Sequence, residues 1–161
     1  MFCIFEEKNL IAIPSGWNIE IYDLKTGIFK KKLEGHSGHI LMMIKLQDGR
    51  LASAASDNTI RIWNIMNRKC EVKLKTQQED IWGLNELSSS ILVSGAENCK
   101  LYFWDLDQEK CILTKQSQKQ GIIYVIISFE NQLIAHGEGH EIQILKYQKS
   151  KDTLKIQQIH S

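Results

Sequence analysis

The chain has 161 residues, 43% of them hydrophobic, enough to bury a core of ordinary domain size. Its 20 basic and 19 acidic residues leave a net charge of +1, so no strong electrostatic preference for a partner such as nucleic acid follows. The apolar run Ile122 to Ile127 is far short of the roughly 20 residues that a membrane-spanning helix needs. One proline and ten glycines, with no low-complexity stretch, mark no linker, so residues 1–161 read as one segment. Met1-Phe2-Cys3-Ile4-Phe5 opens the chain as the end of an apolar strand. Glu6 and Glu7 come immediately after it, and this start does not read as a secretory leader.

A spacing of 41 residues organises the chain. Tyr22, Trp63, Trp104 and Leu145 are successive steps of it. Leu10, Leu51, Leu92 and Leu133 keep the same step, as do Ile19, Ile60, Leu101 and Ile142, and Ile40, Ile81 and Ile122. The spacing predicts four repeats, approximately 1–34, 35–75, 76–116 and 117–156.

In the first repeat, Lys30, Lys31 and Lys32 fall on the last of its strands. The second repeat is the clearest. Ile40 to Leu46 is an apolar run that suits a buried strand. Gln47-Asp48-Gly49-Arg50 carries the Asp-Gly pair of a hairpin turn. Leu51 to Ala54 is a strand of small residues, and Ser56-Asp57-Asn58 is a tight turn. Thr59 to Trp63 alternates polar and apolar, as a half-exposed strand does. Lys69 to Leu74 is more polar, and Lys73 and Lys75 place charge on the outermost strand, where lysine discourages pairing with other chains. In the third and fourth repeats Ile81 to Leu87 and Ile122 to Phe129 are the equivalent first strands, and the last strand ends near Ile156. Four short antiparallel strands per repeat of this size meet the requirement of a β-propeller blade. The expected fold is therefore all-β: four blades, each a four-stranded antiparallel sheet, in an incomplete propeller.

The second repeat runs Gly35-His36, then Leu51-Ala52-Ser53, then Asp57-Asn58-Thr59-Ile60-Arg61-Ile62-Trp63-Asn64. This order resembles the signature of the WD-repeat β-propellers. The third repeat keeps Ser94, Trp104 and Asp105 but has Gln77 in place of the histidine. The first keeps Tyr22-Asp23 and the fourth only Leu145-Lys146. The resemblance implies that His36, Ser53, Asp57 and Trp63 form a structural hydrogen-bond network, with the indole and imidazole each satisfied internally. Serine, histidine and aspartate also suggest a hydrolase. However, Ser53 sits mid-strand among small residues, without the exposed elbow and oxyanion hole that a nucleophile needs. No catalytic, cofactor-binding or metal-binding residue is expected. His136 and His140 read as turn residues and not as a metal pair. Cys3, Cys70, Cys99 and Cys111 lack ligand spacing, and Cys70 and Cys111, on outer strands, are expected too far apart for a disulfide. Reduced thiols suit the cytoplasm or the nucleus.

The resemblance implies a non-catalytic scaffold that binds proteins or peptides within a multiprotein complex, with no nucleic acid, membrane or cofactor. The alternative is a truncated part of a larger WD-repeat protein, such as a ubiquitin-ligase substrate receptor or signalling adaptor. Loops of one blade face would carry the contacts: Ser37, His39, Glu79 and Asp80, with Trp17 and Trp82 as aromatic anchors. Trp82 reads equally as packing between blades, and Trp17 as a partly exposed turn residue. Four blades leave apolar end flanks, so self-association or pairing with further blades is also expected.

Overall fold

Period-two alternation of apolar residues gives strands throughout the chain, and the turn dipeptides break it into sets of four. The computed structural model describes residues 1–76, 79–117, 121–123, 126–129, 133–138, 141–149 and 154–160. Sheet 1 comprises β1 (Cys3–Phe5), β2 (Leu10–Ser15), β3 (Asn18–Asp23) and β4 (Phe29–Leu33). Sheet 2 comprises β5 (Ile40–Lys45), β6 (Leu51–Ala55), β7 (Thr59–Asn64) and β8 (Lys69–Lys75). Sheet 3 holds β9 (Ile81–Ser88), β10 (Ile91–Ala96), β11 (Lys100–Asp105) and β12 (Lys110–Gln116). Sheet 4 holds β13 (Ile126–Phe129), β14 (Leu133–Glu138), β15 (Glu141–Lys149) and β16 (Leu154–His160). Each sheet is antiparallel and runs in sequence order, the build of a propeller blade. Among the described residues the one helical segment is the 3-10 turn Glu6–Lys8, and no helix is long and apolar enough to cross a membrane.

Two differences from the expected strands stand out. β16 runs on to His160, past the Ile156 boundary expected from the repeat. Ile122 and Ile123 precede β13 instead of beginning it. The buried Ile123 instead wedges against sheet 3: a Cβ on Gly95 would lie 2.4 Å from its Cγ2, and one on Gly83 would lie 3.1 Å from its carbonyl oxygen. Glycine at 95 leaves the space that this side chain fills, and glycine at 83 leaves room for the Ile123 carbonyl and the Ile126 side chain.

The chain divides into two compact units, Met1–Asp80 and Ile81–Ser161. In the first, Phe5, Ile19, Ile21 and Leu33 of sheet 1 pack with Met43, Leu51, Trp63 and Ile65 of sheet 2. In the second, Val93, Leu101 and Phe103 of sheet 3 pack with Ile126, Ile134 and Leu145 of sheet 4. Each such Leu, Ile or Phe side chain contributes about 1.5–3 kcal/mol when fully buried. Both cores have the same geometry. The face of the earlier sheet that carries Ile19 and Ile21, or Leu101 and Phe103, is seated on the Trp63 or Leu145 face of the later one.

The hairpins do not all repeat. Leu51 pairs with Trp63 and Leu92 with Trp104, as the 41-residue step demands. Yet Leu10 pairs with Asp23 and Leu133 with Lys146, each one residue out of step. The cause lies in the turn. In sheet 2, Ala55 pairs with Thr59 across the three residues Ser56, Asp57 and Asn58. The Asp57 carboxylate accepts the Thr59 N–H at 3.1 Å, and Asn58 is left-handed at φ 59. Sheet 3 repeats this with Asn98 accepting the Lys100 N–H at 3.1 Å and Cys99 at φ 63. Sheet 1 has Gly16 at the Asp57 slot. There Ser15 pairs with Asn18 across a two-residue turn, with Gly16 at φ 62. A slip of one residue turns a strand's side chains to the opposite face. Leu10 and Ala12 therefore share a face with Ile21, whereas Leu51 and Ser53 oppose the face of Ile60 and Ile62.

The left-handed Asn58 yields a direct test. Asn58→Ala should destabilise the protein by about 1 kcal/mol, since a Cβ without a local polar partner is strained there, and Asn58→Gly should be nearly neutral. Urea denaturation midpoints of the two variants should separate accordingly.

Candidate functional site

Strands β6 and β7 and the Gly35–His39 connection place four polar side chains beside the first unit's core. Trp63 Nε1–H donates to Ser53 Oγ at 2.8 Å, and Ser53 Oγ lies 2.7 Å from His36 Nε2. His36 Nδ1 lies 2.9 Å from Asp57 Oδ2. With Nδ1–H donating to the carboxylate, Nε2 is left as acceptor for the Ser53 hydroxyl, and every polar atom has a role. Asp57 also accepts the Ser37 N–H at 3.0 Å and the Thr59 hydroxyl at 2.7 Å. Burial holds the His36 pKa below the ordinary histidine value, although Asp57 pulls the other way. Burial pushes the Asp57 carboxyl up, but hydrogen bonds from Thr59, Ser37 and His36 outweigh it and keep the group low.

This arrangement is sealed. Ser53 is fully buried, and its oxygen is shared between Trp63 and His36. A substrate carbonyl has no approach to it.

In sheet 3 the indole–hydroxyl pair survives, with Trp104 Nε1–H donating to Ser94 at 2.9 Å. Gln77, at the histidine slot, lies outside the described residues. Sheets 1 and 4 have Ala12 with Tyr22 and Ala135 with Leu145, so the serine and the indole are lost together. A buried indole N–H without an acceptor would be costly, which accounts for the joint loss. Tyr22 instead bonds Glu20 through its hydroxyl and meets Phe29 edge-on at 5.6 Å.

The acid or amide after each signature aromatic caps the next turn. Asp23 accepts the N–H of Lys25 and Thr26, Asn64 those of Met66 and Asn67, and Asp105 those of Asp107 and Gln108. The hydrogen bonds from Thr26 first, aided by Lys30, hold the Asp23 pKa at about 2.

One participant is not evident from the sequence. The Arg61 guanidinium lies 5.7 Å over the Trp63 ring. A Cβ on Gly35 would fall 2.5 Å from Arg61 Nη1 and 3.2 Å from Trp63, which explains glycine at that position. The only sequence signal is the polar slot within the alternation of β7. Tyr102 takes the same slot in sheet 3 and stacks on Trp104 at 5.9 Å.

The candidate contact residues divide between the units. Trp17 is 54% exposed, with the exposed His39 edge-on at 6.5 Å. Backbone bonds from Ile40 N–H to Gly16 and from Ser56 N–H to His39 tie their loops together. Ser37 is exposed, with its N–H held by Asp57. Thr76 bonds the carbonyls of both Asn58 and Glu79, which brings Glu79 to the same loop set. Asp80 is half-buried at the end of this unit, and the half-buried Trp82 lies on β9 in the second unit. No cluster of potential metal ligands occurs among the described residues. His140 lies outside the described residues. All four cysteines are free, and burial raises the Cys3 thiol to about 11.

The family model for the WD domain, G-beta repeat, matches residues 27–64, which hold this network. WD repeat-containing protein pop2 of Schizosaccharomyces pombe is 30% identical over 67 residues, 42% of this chain and 9% of that protein. Residues 27–64 thus match the WD-repeat family. THO complex subunit 6 homolog of Danio rerio is 37% identical over 60 residues, 37% of this chain and 19% of that protein. Ribosome biogenesis protein YTM1 of Saccharomyces cerevisiae is 33% identical over 72 residues, 45% of this chain and 15% of that protein. The matched stretch thus spans less than a fifth of each of these relatives.

Two outcomes are expected of the network. Asp57→Ala leaves a buried imidazole N–H without an acceptor and should cost on the order of 1–3 kcal/mol, read from thermal melts against wild type. The depressed His36 pKa means that the unfolded chain binds a proton more readily than the folded one. Stability should therefore fall as pH drops below about 6.5, and His36→Gln should flatten that part of the melting-temperature profile.

Proposed function

We propose that this chain is a non-catalytic scaffold that docks protein or peptide segments on the loop face of its first unit. The observation that carries the reading is Trp17, a large aromatic left 54% exposed and braced by the His39 ring. An exposed aromatic on hydrogen-bonded loops loses little freedom when a partner covers it, and tryptophan is prominent among residues that dominate binding energy. Ser37 and Glu79, on loops tied to the same turn, offer polar contacts around it. Asp80 and Trp82 are the remaining candidates, on neighbouring stretches of chain. The sealed state of Ser53 supports a role without catalysis.

A place in a multiprotein complex is supported by the relatives, one of which is named as a subunit of the THO complex. Four free thiols, two of them buried, suit a reducing compartment, the cytoplasm or the nucleus.

Affinity capture with the tagged chain tests this reading. Trp17→Ala and His39→Ala, with melts matching wild type, should lower recovery of at least one specific partner by about tenfold or more, the effect of losing a binding hot spot. Trp82→Ala and Asp80→Lys should do so if the second set of candidates contributes. Unchanged recovery in all four would remove the proposed face.

A further inference from the structure

In the first unit a lysine stands where the repeat elsewhere has an apolar side chain. Lys31 pairs with Ile21, as Val72 pairs with Ile62 and Leu113 with Phe103. Val72 is buried, and Leu113 packs on the second unit's core. Ile21 belongs to the face seated on sheet 2, so Lys31 is drawn to the seam between sheets 1 and 2. There it is half-buried, and its Nζ donates to the Met66 carbonyl at 3.2 Å.

Two more cations bear on it. Arg68, two residues past Met66, holds a left-handed φ of 64, in the turn slot that Gly27 takes at φ 69 in sheet 1. Arginine there bears strain that glycine avoids, and such outliers gather at binding sites. Glu109 takes the slot in sheet 3, so positive charge at it is not a feature of the repeat. Lys8, in the β1–β2 turn, donates to the Gly49 carbonyl at 2.8 Å. Burial first, then the charges of Arg68 and Lys8, lower the Lys31 pKa. Among the described residues none of the three cations is in an ion pair: Lys45 holds Glu7, Lys30 holds Asp23, and Arg50 holds Asp48 and Glu71. The slots of Met66 and Arg68 are open to solvent in sheets 1, 2 and 3 alike, as Lys25 with Asp107 and Gly27 with Glu109 show.

We infer that Lys8, Lys31 and Arg68 receive a short acidic peptide segment of a partner protein. Its carboxylates supply the missing countercharge, and an apolar side chain beside them covers Met66, which is 59% exposed. Ammonium and guanidinium groups bind carboxylates through charge-assisted hydrogen bonds. A short peptide fits this surface better than nucleic acid or an anionic membrane. Glu6, Glu7, Asp23 and Asp48, at the same strand ends, would repel a long uniform polyanion. These turns join the strand ends opposite to those that carry Trp17, so the site does not rest on the docking face proposed above.

Fluorescence anisotropy with a labelled peptide of alternating glutamate and leucine tests it. Wild type should bind this peptide, more weakly as salt rises, and should leave the glutamine–leucine counterpart free. Lys31→Leu and Arg68→Gly should each weaken binding by about tenfold or more. Their melting temperatures should not fall below wild type, because the first restores an apolar slot and the second relieves left-handed strain. Trp17→Ala should bind as wild type does. No binding of the acidic peptide, equal binding of the glutamine peptide, binding that survives both substitutions, or binding lost in Trp17→Ala would overturn the inference. So would tighter binding to phosphatidylserine vesicles or to single-stranded DNA, which would assign the cluster to a membrane or to nucleic acid.

Discussion

A four-stranded sheet that is apolar on both faces cannot stand alone in water. That constraint governs this molecule. Strand sequences such as Leu51–Ala55 and Leu101–Asp105 are buried along their whole length, so each sheet must lie against another. The backbone bonds of a sheet are local and add little choice. What fixes the arrangement is which face meets which, and the same choice is made in both units. The polar groups inside obey it. An indole placed on a face that becomes buried needs an acceptor, Ser53 or Ser94 provides one, and the remaining serine valence leads to His36 and Asp57.

Much of this was legible in the sequence, because a strict step of 41 residues exposes the repeat without knowledge of contacts. The strands of the second repeat follow from alternation and turn residues, and its polar quartet from the resemblance to the WD-repeat signature. Other features depend on quantities that a sequence carries only indirectly. The slip in sheet 1 comes from one turn residue, since Gly16 cannot accept the backbone N–H that Asp57 accepts. Equal spacing of Leu10 and Leu51 therefore conceals opposite orientations. The late start of β13 is similar: Ile123 serves as a plug for the space above Gly95, a contact between segments far apart in sequence.

The candidate contact residues were less legible, because exposure decides them. The sequence reads Trp17 as a turn residue and Trp82 as a strand residue, but it does not fix how far a partner could reach either. In the structure Trp17 is open and braced by a ring from another loop, whereas Trp82 is half-buried. Arg61 shows the converse. A cation in a polar slot reads as surface, but the space left by Gly35 lets it lie over an indole.

The turn that separates the hairpins has a bearing on how such arrays change over time or by design. Repeats of identical length look like interchangeable cassettes. Yet in sheet 2, with Asp57, and in sheet 1, with Gly16, the equivalent leucines of the second strand lie on opposite faces relative to the third-strand isoleucines. Moving the second strand of sheet 2 into sheet 1 without its own turn would redirect an entire strand's worth of side chains. Exchange is tolerated only where turn and strand travel together, so the hairpin, and not the isolated strand, is the smallest portable piece of this chain.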